Sequence, residues 1–91
     1  MLIENDSKLV MIGDSISDCG RAKPVGEGLF GAAGNGYINL VDAVLRAFHP
    51  EKNIRVVNMG TSGDPVRELK MRWQTDVFDL NPDWVSIYIG I

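Results

Sequence analysis

Ser15 stands where an apolar run ends. The stretch KLVMIGDSISDCGRA, residues 8–22, passes from apolar residues into Gly13-Asp14-Ser15 and then into polar residues and glycine. A serine hydroxyl placed there can attack a carbonyl carbon, provided a base takes its proton and N–H groups receive the oxyanion that develops. A second polar cluster, Gly60-Thr61-Ser62-Gly63-Asp64, follows another apolar run, IRVVNM at 54–59. Its small residues let backbone amides come close to a substrate oxygen that a Cβ would hold off. A serine on one loop beside the amides of the other is the first half of an acyl-transfer site. The same residue types also form turns and helix caps, and on residue types alone the turn is the stronger reading.

The other chemistry-bearing residues are few. His49, the single histidine, lies between an apolar helix-like run and Pro50. That places it at a helix C-terminus, on the opposite edge of a parallel sheet from Ser15, so it does not suit a triad. Cys19 reads as a small buried residue rather than a reactive thiol. GEGLFG at 26–31 matches Gly-x-Gly-x-x-Gly, but a dinucleotide fingerprint needs those glycines directly between a strand and its helix, and here they lie deep in a loop. Ser62 reads as a residue that positions its loop or caps the next helix. Asp14 either anchors the turn that carries Ser15 or is an exposed turn residue. Arg21, Asn35 and Arg67 either contact substrate at the rim of a site or fix the long loop. Trp73 and Trp84 read as packing.

The elements that must position these groups alternate. KLVMI (8–12) reads as a strand buried on both faces. Residues 19–36, rich in glycine, read as a long loop. YINLVDAVLRAF places Ile38, Val41, Val44, Leu45 and Phe48 on one helical face, started by Asn35 or Gly36 and stopped by Pro50. IRVVNM is a second strand. Asp64-Pro65 is an N-cap followed by proline at the first helical position. The helix it opens draws apolar contacts from Val66, Leu69, Met71, Trp73 and Val77, and NPD ends it. WVSIYIGI is a third strand. Strand, helix, strand, helix, strand is the order of a parallel sheet with crossover helices, where ligands bind at the carboxyl ends of the strands. The sequence finishes on the apolar YIGI, a pattern expected of the N-terminal portion of a longer domain.

Composition narrows the classes. Ninety-one residues, 45% hydrophobic and 23% charged, fit at most one domain. A net charge of −3 with scattered Lys and Arg speaks against a nucleic-acid or anionic-membrane surface. No run is long enough for a transmembrane helix and no signal peptide is seen, so a cytoplasmic location is expected. One cysteine excludes a disulfide framework and a cysteine-rich zinc site within these residues.

MIGDSISDCG strongly resembles the first sequence block of the SGNH hydrolases (GDSL esterases and lipases), in which Gly-Asp-Ser follows the first strand. VVNMGTSGDPVREL resembles their second block, Asn-x-Gly-x-x-Gly before a helix. NPDWVSIYIGI resembles the approach to their third, Gly-x-Asn-Asp, stopping just before the asparagine. The resemblance covers nearly the whole chain, with the three features in order. It implies a three-layer α/β/α sandwich with a flavodoxin-like parallel sheet, of which residues 1–91 supply the first three of five strands, ordered second, first, third. It implies Ser15 as nucleophile and as one backbone oxyanion donor, and Gly63 as the second. The third donor, the block-three asparagine, and the histidine base of an Asp-x-x-His motif do not occur in these residues.

The expectation is therefore a serine esterase acting on small acyl esters, with no metal and no cofactor; acetyl groups on carbohydrates are compatible with it, but a preference for them is not legible. Residues 1–91 alone, without the base, are expected to be inert. The alternative is a flavodoxin-like module holding a phosphate or flavin at the same strand ends. Asp14 and Asp18 beside that loop, with no Lys or Arg between Gly13 and Gly20, would repel such an anion. Acyl and alcohol specificity, pathway and oligomeric state are not legible.

Overall fold

A computed structural model describes residues 2–28, 31–62 and 65–88, the side chains of residues 65–68 excepted. Strands β1 (Lys8–Gly13), β2 (Arg55–Asn58) and β3 (Trp84–Tyr88) form one parallel sheet in the order β2-β1-β3. Helices α1 (Ser15–Asp18), α2 (Tyr37–Phe48) and α3 (Pro65–Asp76) connect them, with short 3-10 turns at Pro50–Lys52 and Phe78–Leu80. Leu9 pairs with Val56 on one side and with Trp84 on the other, so β1 is the central strand.

β1 reads as a continuous apolar run because both its faces are covered. Leu9 and Met11 point to one side and pack with Val56, Ile54 and Ile38 of α2; Val10 points to the other and packs with Val57, Met59 and Leu80. The chain steps from β1 to β2, then back across β1 to β3, so crossovers of one hand place α2 and α3 on opposite faces. This is the expected three-layer arrangement, with the expected strand order. No helix among the described residues is long and apolar enough to cross a membrane.

α2 occupies the expected residues, with Gly36 at its N-cap. Its buried stripe is narrower than expected. Ile38, Val41 and Leu45 meet the sheet, while Val44 and Phe48 are exposed together with Leu40. Val44 lies about 100° round the helix from Leu45, and Phe48 closes the last turn. In the second connection Val77 is buried, but Met71, expected to pack, is 77% exposed, and Val66 lies outside the described side chains. β3 also departs from the buried strand expected. Trp84, Val85, Ile87 and Tyr88 are all exposed, since β3 is the edge of the described sheet, although Tyr37 of α2 reaches Tyr88 with ring centroids 5.6 Å apart. Trp73 rests edge-on against Phe78, with ring centroids 6.0 Å apart.

Candidate active site

The turn that carries Ser15 is built by its neighbours. Asp14 is buried and serves as the N-cap of α1: its Oδ1 accepts the Ile16 N–H at 3.1 Å and its carbonyl accepts those of Ser17 and Asp18. Of the two roles open to Asp14, the structure shows the anchor. These bonds leave the Ser15 N–H as the helical amide of that turn with no acceptor among the described residues. Ser15 itself is exposed at the carboxyl end of the central strand. The glycine before it is required by space. A Cβ on Gly13 would collide with Ser17 Oγ and the Tyr88 carbonyl, since α1 folds back over the strand end.

The loop after β2 is fastened beside this turn, one residue after another. The Gly60 N–H donates to Asn58 Oδ1 at 2.8 Å, the Thr61 N–H to the Gly13 carbonyl at 2.9 Å, and the Ser62 N–H to Asp18 Oδ2 at 3.2 Å. Asn58 is fully buried, and its Nδ2 donates to the carbonyls of Ser17 and Ala33 at 2.7 and 2.8 Å. One amide thus ties β2, α1 and the long loop together. Gly60 is pressed so closely against α1 that a Cβ there would sit 2.6 Å from Asp18 N. Gly60→Ala is therefore expected to destabilise the fold by about 1–3 kcal/mol, as overpacking against backbone does, and to slow labelling of Ser15 by a serine-directed probe. Urea denaturation and labelling kinetics check it; wild-type values in both would refute it.

Two arginines, Arg21 buried and Arg72 partly so, complete the floor. Arg21, considered a possible rim residue, is buried instead: its Nε donates to the Gly60 carbonyl at 2.6 Å, and its other nitrogens reach Thr61 Oγ1 and the carbonyls of Ala22 and Pro24. These bonds join the long loop to the loop after β2. Burial lowers the Arg21 pKa, against the opposing pull of Asp18 and Asp76, yet a guanidinium stays a cation in a protein. Arg72 of α3 donates to the carbonyls of Met59 at 2.7 Å and Gly13 at 2.9 Å and pairs with Asp76 at 3.1 Å. It joins the ends of β1 and β2 from the opposite face. Sequence reasoning missed Arg72 and the part played by Asn58. A fully polar amide closing an apolar strand was the available signal for Asn58.

The remaining candidates divide. Asn35 is exposed, with its backbone N–H on the Cys19 carbonyl at 2.8 Å. Gly63 and the Arg67 side chain lie outside the described residues. Cys19 is half-buried and donates its thiol to the Ile16 carbonyl at 2.9 Å. Tyr37, in the first turn of α2, meets Ser17 Oγ at 2.9 Å, so the start of α2 is at the Ser15 edge. His49 caps the other end, a helix length of about 18 Å away.

The Asp18 carboxylate has several partners, Lys23 and the N–H and hydroxyl of Ser62. Burial pushes its pKa up, but hydrogen bonds from Lys23 and the Ser62 N–H, with the charges of Lys23 and Arg21, outweigh that and hold it below the ordinary value of 3.8. A carboxyl with a lower pKa folded than unfolded adds stability above its unfolded pKa and loses it as pH falls through the folded one. The stability gap between wild type and Asp18→Asn is therefore expected to be widest at neutral pH and to close in acid. A gap constant from about pH 7 to about pH 2 in urea titrations would contradict this. The anion-binding alternative meets a site whose amides at Ile16, Ser17, Asp18, Gly60, Thr61 and Ser62 already have acceptors, two of them carboxylates.

No family model matches the chain. An acetylxylan esterase of Geobacillus stearothermophilus is 59% identical over all 91 residues, which span 42% of that protein's length. The crystal structure of that esterase superposes with a TM-score of 0.96, and that of a catalytic mutant with 0.97, each at 59% identity, over 100% of this chain and 42% of the other. An α/β hydrolase enzyme from the metagenome of Lake Arreo, Spain, superposes with a TM-score of 0.94 at 56% identity, over 98% of this chain and 41% of its own. Gly13-Asp14-Ser15 and the start of the second block, Asn58 to Ser62, stand at the ends of adjacent parallel strands, and the chain shares the fold of the matching two fifths of these esterases.

Proposed function

We propose that this chain carries the nucleophile and part of the oxyanion hole of a serine carboxylic-ester hydrolase, with acetyl groups on xylan-type sugars as the leading substrate class. The observation that supports it most is the exposed Ser15 on a capped turn at the end of the central strand, with its own N–H open and the second loop fastened alongside. The 59% identity to an acetylxylan esterase supports the substrate class.

In this reading Ser15 Oγ attacks the ester carbonyl carbon. A base takes the hydroxyl proton, the N–H groups of Ser15 and Gly63 receive the oxyanion, and the alcohol leaves with a proton. Water then releases the acid from the acyl-enzyme. Catalytic mutants of the Geobacillus enzyme include replacements of a serine, an aspartate and a histidine. The resemblance implies a histidine base from polypeptide outside these 91 residues, and His49, at the far end of α2, does not fill that role. Arg67 and Asn35 are the rim residues to test for sugar contact.

The test is an intact-mass spectrum of the complete polypeptide before and after a fluorophosphonate probe. One adduct mapping to Ser15 supports the reading. A complete chain without adduct would sink it.

A further inference from the structure

We propose that Asp18 is a positioning residue, whose carboxylate accepts the Ser62 N–H and so sets the loop after β2 at a fixed place relative to Ser15. The inference rests on the hydrolase reading above and adds to it the device that aligns nucleophile and oxyanion loop.

Ser15 and Asp18 are the first and last residues of one helical turn, α1. Three residues of helix rise only about 4.5 Å, and the turn is locked by the Asp14 cap at one end and the Cys19 N–H on the Ser15 carbonyl at the other. Whatever Asp18 grips is thereby held at a set distance from the nucleophile. It grips Ser62 twice, at the backbone N–H (3.2 Å) and at Oγ (3.4 Å). Ser62 is the residue before Gly63, so the peptide that ends in the proposed oxyanion donor begins at the gripped residue.

The charge arrangement fits the same role. A carboxylate accepts an N–H more strongly than a neutral oxygen does, but an unbalanced anion beside a developing oxyanion would oppose catalysis. Lys23 Nζ sits 3.1 Å from the same Oδ2, and Arg21 holds the loop from the Gly60 carbonyl. The Lys23 side chain is half exposed, and a pair of that kind adds little stability. Stability alone is therefore a weak reason for a buried carboxylate here, whereas loop placement is a direct one.

The experiment compares Asp18→Ala, Asp18→Asn and Asp18→Glu in the complete polypeptide, with kcat and KM on an acetylated xylo-oligosaccharide, the fluorophosphonate labelling rate and the melting temperature. Asp18→Ala is expected to lower kcat and labelling on the order of 10²-fold, the scale of one misaligned oxyanion donor, with KM within about threefold. Asn, which still offers an oxygen to the Ser62 N–H, is expected to restore most of the rate. Glu, which displaces the carboxylate by one methylene, is expected to lose at least about tenfold and keeps the test decisive if the alanine variant does not fold. Folded Ala or Glu variants with wild-type kcat would overturn the inference, as would an Asn variant no better than Ala. A wild-type protein that neither turns over nor labels would instead overturn the hydrolase reading, and Asp18's role with it.

Discussion

Ser15→Ala is expected to abolish ester hydrolysis by the complete polypeptide while leaving its fold intact. Loss of an acyl-enzyme nucleophile costs on the order of 10⁴–10⁶-fold in kcat, and fluorophosphonate labelling should vanish altogether. Stability should stay within about 0.5 kcal/mol, because Ser15 is exposed and its side chain caps nothing. The α1 turn keeps its anchor in Asp14 and its backbone bonds in either case. Paired activity and urea-denaturation curves make the test. A variant that loses activity only in proportion to lost stability would point to a structural serine. One that keeps more than about a hundredth of wild-type kcat would remove the nucleophile assignment.

The second large effect is on stability. Asn58→Ala strips partners from the carbonyls of Ser17 and Ala33 and from the Gly60 N–H, all around a side chain with no solvent contact. Each buried group left unpaired costs about 1–3 kcal/mol, so the variant should lose on the order of 4 kcal/mol, a large part of the 5–15 kcal/mol that typically holds a domain together. Asn58→Asp should be no better at neutral pH. Its carboxylate can accept the Gly60 N–H but turns an acceptor toward two carbonyls that need a donor. Protonating it supplies one donor, so the aspartate variant should recover part of its stability in acid. Thermal melts across pH would show this. An alanine variant within about 1 kcal/mol of wild type would mean that water replaces the amide.

What was legible from sequence followed from local pattern. The apolar run of β1, the period of α2 and the alternation of strands and helices each depend on residues a few positions apart, and they located the strands and the loop that carries Ser15; the strand order came from the family resemblance. Asp14 could be weighed as an anchor because its partner, Ile16, is two residues away. Asn58, Arg72 and Asp18 could not be weighed in the same way. Each has at least one partner about forty to sixty residues off, as Arg72 has in Gly13 and Asp18 in Ser62. Nothing in the composition near either end marks such a bond. The exposed helix residues read as packing, Val44, Phe48 and Met71, share another cause. Apolar periodicity says which way a residue faces but not whether another layer covers it.

The buried amide of Asn58 also offers a clock. Its two Nδ2 protons are pinned against the Ser17 and Ala33 carbonyls with no water in contact. They can exchange with solvent deuterium only when α1, the long loop and the end of β2 part from one another. Their exchange rates, read as the pair of proton signals on one side-chain nitrogen in a nuclear magnetic resonance spectrum, would therefore time the opening of the edge where Ser15 sits. Backbone amides of the same loops would report only their own local breathing.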